Sequence, residues 1–130
     1  MLETISTETI EAIFNALPVD LTFVDDTDTV RYYSKGDERI FKRTPAVIGR
    51  KVQDCHPQKS LHKVEQVVSD LKSGKRNVAE FWIDLKGRKI YIRYFAVRDK
   101  SGKYIGTLEV TQDITDLQKI TGEKRLLDME

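Results

Sequence analysis

The sequence predicts an α+β domain: a five-stranded antiparallel sheet with helices on one face, and a flanking helix at each end of the chain. Three observations predict it. Residues 77–85, 89–99 and 104–113 are β-type runs joined only by short turns. Residues 21–25 and 30–34 are two shorter β runs around a polar Asp26-Thr27-Asp28 turn. Between these groups lies a helical period that could cover one face of a sheet.

Taken in order, residues 6–17 form a short amphipathic helix. Ser6 or Thr7 can cap it, Ile10, Ile13, Phe14 and Leu17 make its apolar stripe, and Pro18 stops it. The first two strands follow. Residues 35–57 lose regular period, because Gly36, Pro45, Gly49 and Pro57 interrupt a partly apolar stretch, so short helical turns joined by loops are expected there. A clearer helix begins at Lys59 or Ser60 and runs to about Lys72. Leu61, Val64, Val67, Val68 and Leu71 recur at helical spacing, and Ser73-Gly74 ends it. Residues 114–130 carry Ile114, Leu117, Ile120 and Leu127 at roughly helical intervals, although Gly122 weakens a helix there.

The last three strands can be aligned residue by residue. Lys86-Gly87 suits a two-residue hairpin, which pairs Leu85 with Arg88, Ile83 with Ile90, Phe81 with Ile92 and Ala79 with Tyr94. The other face then pairs Asp84 with Lys89, Trp82 with Tyr91 and Glu80 with Arg93. A three-residue loop, Lys100-Ser101-Gly102, puts glycine where a left-handed residue is needed. Carried onward, that register sets Leu108 beside Tyr94, Val110 beside Ile92 and Glu109 beside Arg93. One face is expected to be apolar, and the other to carry a Glu80–Arg93–Glu109 charge ladder among aromatics.

At 130 residues the chain is expected to be one domain, with a core that needs neither disulfide nor metal. One cysteine, Cys55, cannot form an internal bridge, and a cytoplasmic setting is favoured. A formal charge of +1 argues against a general nucleic-acid binder. No secretory signal and no apolar stretch of membrane-spanning length is visible. Catalysis finds no support: there is no nucleophile–base order, no phosphate-cradling glycine loop and no metal-binding carboxylate cluster.

The element order, with Ile48-Gly49-Arg50 before the middle helix, Asp99-Lys100-Ser101-Gly102 at the last hairpin and Gln112-Asp113-Ile114-Thr115 closing the last strand, resembles a PAS domain over about residues 9–118. Val52-Gln53-Asp54-Cys55-His56-Pro57, Ala79-Glu80-Phe81-Trp82-Ile83 and residues 92–99 look more narrowly like the C-terminal PAS module of prokaryotic hemerythrin (HHE)-type domain proteins. No such partner domain is present, so the chain reads as either an excised fragment or a free-standing relative. The resemblance implies a flanking helix at 1–17, a PAS domain at 18–115 and a linker helix at 116–130. It further implies a sensory or interaction module, which holds a small ligand between sheet and helices or holds nothing. Such modules relay changes in packing to a signalling partner, and many pair as homodimers.

Candidate residues follow. Phe23, Tyr32, Phe41, Val52, Cys55, His56, Val64, Phe81, Ile92, Tyr94 and Leu108 are expected to line the ligand pocket, with plain core packing as the alternative for each. His56 could ligate haem iron, and a Cys55 thiolate near a helix N-terminus could sense oxidants. His62 is a second haem candidate, because haem-binding PAS domains draw their proximal histidine from that helix. A Tyr94 side chain on the inner face shrinks the cavity and favours a small ligand over haem. No zinc site is expected from Cys55, His56 and His62. Ile10, Phe14, Trp82, Tyr91, Arg93 and Phe95 are expected on an outer face that needs a cover, either the first helix or a second subunit.

Overall fold

The computed structural model describes residues 1–35, 39–52 and 60–128. Seven regular elements carry the fold: α1 (Thr7–Ala16), β1 (Asp20–Asp25), β2 (Val30–Tyr33), α2 (Leu61–Ser73), β3 (Val78–Leu85), β4 (Arg88–Arg98) and β5 (Tyr104–Asp113). The strands form one antiparallel sheet in the order β2-β1-β5-β4-β3, so the first and last strands of the chain are neighbours at its centre.

Local chemistry sets the helix boundaries. The Ser6 hydroxyl accepts a hydrogen bond from the Thr9 amide at 3.0 Å, and Leu17 turns extended before Pro18. Helix α2 ends at Gly74, whose φ of 80° is the left-handed conformation that glycine adopts without a Cβ penalty. Arg98 on β4 donates from Nη2 to the Leu71 carbonyl at 2.8 Å, satisfying an orphan acceptor of the last turn and tying α2 to the sheet. Leu71 is fully buried, and Val68 and Val24 are buried with it between helix and sheet.

The β3–β4 hairpin has the register the sequence predicts, from Leu85 opposite Arg88 to Ala79 opposite Tyr94. The β4–β5 pair does not. Its turn forms as expected, with the Asp99 amide donating to Lys103, and Arg98 opposes Tyr104. The register then shifts by one residue beyond Val97, so Tyr94 opposes Glu109, Arg93 opposes Val110 and Phe95 opposes Leu108. Ile105 is the extra residue of a β-bulge. The expected Glu80–Arg93–Glu109 ladder is therefore broken. Every β5 side chain beyond the bulge stands on the face opposite to the one predicted.

This exchange gives the covered face an unusual composition. Asp20, Thr22, Thr107 and Thr111 stand on the α2 side and are buried, while Leu21 and Val110 are buried on the other side. The buried polar groups have partners. Asp20 accepts from the Ile40 amide at 2.7 Å, and Thr22 accepts from Arg39 at 3.0 Å. Arg39 also donates to the carbonyls of Leu21, Ser34 and Phe41, with its guanidinium over the Tyr33 ring. One buried arginine thus fastens the segment after β2 to the sheet.

The expected C-terminal helix is not formed. Residues 114–128 contain two single-turn 3₁₀ segments, Leu117–Lys119 and Leu126–Asp128, and expose Leu117, Ile120, Leu126 and Leu127. Residues 114–116 are tied to β4, with Ile114 and Thr115 bonded to the Lys89 backbone and Asp116 paired with Arg88, but the apolar side chains beyond them stay exposed, and a stripe alone does not sustain a short helix in water. The expected turn in the irregular stretch is present as a 3₁₀ segment, Pro45–Val47. No helix among the described residues is long and apolar enough to cross a membrane.

Candidate functional site

A cavity of roughly 160 Å³ lies between α2 and the sheet. Val64, Val67 and Val68 of α2 supply one wall, and Val24, Phe81, Tyr94, Thr107 and Glu109 of four strands supply the other. Val52 and Ser60, which bound residues 53–59, with Lys63 of α2 and Tyr104, complete it. The lining is mostly apolar, with a few polar groups placed within it, the usual chemistry of a small-molecule site.

Four polar groups on the sheet, Glu109, Tyr94, Tyr104 and Thr107, set its electrostatics, with Lys63 of α2 also in the lining. Glu109 stands directly across from Tyr94 on one side and Thr22 on the other. Arg43, from the segment that Arg39 fastens, brings Nη2 to 3.6 Å from Glu109 Oε2, and both side chains are largely buried. Burial pushes the Tyr94 phenol far above its ordinary range, the Glu109 carboxylate adds to this, and Arg43 opposes it. Tyr94 thus stays a neutral hydroxyl, able to donate or accept. The Tyr104 hydroxyl is held by Thr107 Oγ1 at 2.7 Å, and burial raises its phenol as well.

Of the predicted pocket residues, Val52, Val64, Phe81 and Tyr94 line this cavity. Phe23, Tyr32 and Leu108 do not: all three stand in one cross-strand row with Phe95 on the opposite face. Phe23 and Tyr32 oppose each other there, and Leu108 went over with the bulge. Ile92 is on the α2 side but is not part of the wall, and Phe41 is half-buried outside it, its carbonyl bound by Arg39. Cys55 and His56 lie outside the described residues. His62 is exposed on α2 and does not line the cavity, so it is not placed to ligate a group held there. Among the described residues no cluster of three metal-ligating side chains occurs.

Sequence reasoning missed Glu109, Thr107 and Arg43. A signal for the first two was present: Gly106 interrupts an otherwise good strand, and glycine inside a strand commonly marks a bulge. A Cβ at Gly106 would lie 2.4 Å from both the Phe23 ring and the Val24 carbonyl. Nothing in local pattern brings Arg43 to Glu109 across 66 residues of chain.

The outer face is divided. Helix α1 lies over its β1–β2 side, where the Phe14 and Tyr32 rings are 5.8 Å apart and Asn15 accepts from the Lys35 amide at 2.9 Å. Ile10 is half-buried on the same helix. Toward β3 the face is open. Trp82 is 62% exposed, Arg93 lies over the rings of Tyr91 and Phe95, and the Tyr91 hydroxyl donates to Glu80.

Comparison with known proteins places this architecture. A PAS domain family profile matches residues 10–115. A solved C-terminal domain from Streptococcus mutans is 38% identical with a TM-score of 0.84, over 90% of this chain and 91% of that one. Two further solved structures share the fold at lower identity. A PAS domain from Colwellia psychrerythraea is 18% identical with a TM-score of 0.60, over 84% of this chain and 97% of that one. The PAS domain of Bordetella pertussis BvgS is 16% identical with a TM-score of 0.62, over 92% and 90%. No curated protein matches this chain. The profile match over most of the chain, and the antiparallel sheet order that accompanies it, show that the chain belongs to the PAS domain family.

Proposed function

We propose that this PAS domain is a sensory module that holds a small molecule between α2 and the sheet and relays its presence through its terminal segments to a signalling partner. The observation that carries this reading is the cavity itself: about 160 Å³ of apolar-walled space containing a carboxylate and a neutral phenol. The pocket opens to solvent at one side, where Phe81 is 44% exposed, so its apolar wall is reachable by a molecule from solution. The relay has a physical route, because Arg98 joins the end of α2 to β4 and Arg43 joins the irregular segment to β5. In this division residues 1–17 and 116–130 flank a sensing domain at 18–115. Kinship with the C-terminal PAS module of HHE-type proteins accords with the S. mutans relative, itself a C-terminal domain.

Native mass spectrometry of freshly purified protein tests the reading. A retained small molecule, lost when Val64→Trp fills the cavity, is the expected result. Identical bare masses for both proteins, with no thermal stabilisation of the unsubstituted chain by any small-molecule extract, would contradict it.

A second reading, assembly of two copies through the outer face, is favoured by the exposed Trp82 in a row with Tyr91. A soluble sheet face with an exposed tryptophan beside other aromatics is a typical contact surface.

A further inference from the structure

Glu109 is short of partners for a buried carboxylate. Its side chain is 12% exposed, and an ionised carboxylate offers about four acceptor sites. Among the described residues two donors approach it: Thr111 Oγ1 at 3.3 Å from Oε1, and Arg43 Nη2 at 3.6 Å from Oε2. The first is long for a hydrogen bond and the second exceeds hydrogen-bond distance, although it still offsets charge. Most of the surrounding wall, Val24, Val64, Val67, Val68 and Phe81, has no donor to offer, although Ser60, Lys63, Tyr94 and Tyr104 also line the space. Unfilled acceptor capacity in such surroundings is costly, and a donor inside the cavity relieves it.

We propose that the cavity selects small, largely apolar molecules carrying one neutral N–H or O–H donor, and that Glu109 is the residue that reads the donor. The proposal rests on the cavity being a ligand site and deepens that reading. Size limits the ligand to about one ring with small substituents, since a cavity near 150 Å³ lined by apolar side chains takes up benzene. Charge limits it further. Arg43 already balances Glu109, so a cationic head gains little over a neutral one; an anionic head beside Glu109 meets the carboxylate, and Lys63, which also lines the cavity, is exposed on α2. Tyr94, opposite Glu109 on the neighbouring strand, remains a neutral hydroxyl that can accept from or donate to the same head group.

Phenol, toluene and benzoate are near-equal in shape and differ in the property at issue. Titrated separately into the ¹⁵N-labelled wild-type chain, each is followed by amide shifts at Val24, Val64 and Thr107. Phenol is expected to bind about ten-fold tighter than toluene, the factor that one hydrogen bond to a charged group supplies, and benzoate weakest of the three. Glu109→Gln should narrow the phenol preference, read as the ratio of the phenol and toluene affinities. Equal affinity for phenol and toluene, or tightest binding of benzoate, overturns the assignment of Glu109 and leaves the ligand site standing. If no probe shifts the cavity amides up to its solubility limit, the site and the assignment fail together. The wild-type comparison decides even if the variant does not fold.

Discussion

At the scale of single residues, two features depend on close geometry. Gly106 is the point where β5 passes against β1, and its missing side chain is what lets the Phe23 ring lie over it. Gly106→Ala should destabilise the fold by about 3 kcal/mol, because the Val24 carbonyl in its way is backbone and cannot swing aside. An unchanged urea midpoint would contradict this. The second feature is a set of turn aspartates. At Asp113, hydrogen bonds from Arg88 and Thr115 hold the carboxyl at about 2, against an ordinary 3.8. At Asp99, the Ser101 hydroxyl and Lys103 amide lower it too. At Asp25, burial pushes the carboxyl up, but hydrogen bonds from Thr27 and Arg31 overrule it. Each of these groups is more acidic folded than unfolded. Their stabilisation is complete above the unfolded value near 4 and is lost as pH falls through the lower folded values. The urea midpoint should thus fall steadily between pH 4 and 2, and a midpoint rising over that interval would show the opposite linkage.

At the scale of elements, the legible and illegible parts of the sequence separate by cause. Helices α1 and α2 were readable because caps and stops are local: Ser6, Pro18 and Gly74 each act on their own neighbours. The β3–β4 register was readable because a two-residue turn fixes it, and Lys86 and Gly87 both take the positive φ that such a turn requires. The β4–β5 register was not, because the turn was right and the error entered two residues later at Ile105. Apolar pattern reinforced the mistake, since Leu108 and Val110 look like core and Glu109 like surface. Both faces of this sheet are partly covered, so hydrophobicity does not say which side faces α2. Beyond residue 116 the tail has apolar spacing, but Leu117, Ile120, Leu126 and Leu127 stay exposed, and spacing alone did not make it helical. Helix α2 owes its place to Leu71, which is fully buried. Leu71→Ala should cost about 3 kcal/mol in chemical denaturation, and a loss under 1 kcal/mol would show that α2 is not anchored there.

At the scale of the whole molecule, the sheet divides two tasks between its faces. The α2 side holds a cavity with buried polar groups, and the opposite side holds α1 and an aromatic row that ends in an exposed Trp82. Trp82→Glu puts a charge into that open patch without touching the cavity wall. The proposed pairing through the outer face predicts that this substitution turns a dimer into a monomer in size-exclusion chromatography with light scattering while ligand binding stays intact. An unchanged stable dimer would place the contact elsewhere.

The proposed site lies between α2 and the sheet beside Glu109, and a small donor-bearing molecule should occupy it. Intermolecular NOEs from phenol to the ¹³C-labelled chain test it most directly. A ligand in that site gives NOEs to the methyl groups of Val24, Val64 and Thr107. NOEs confined to Trp82 and its neighbours on the outer face would contradict it.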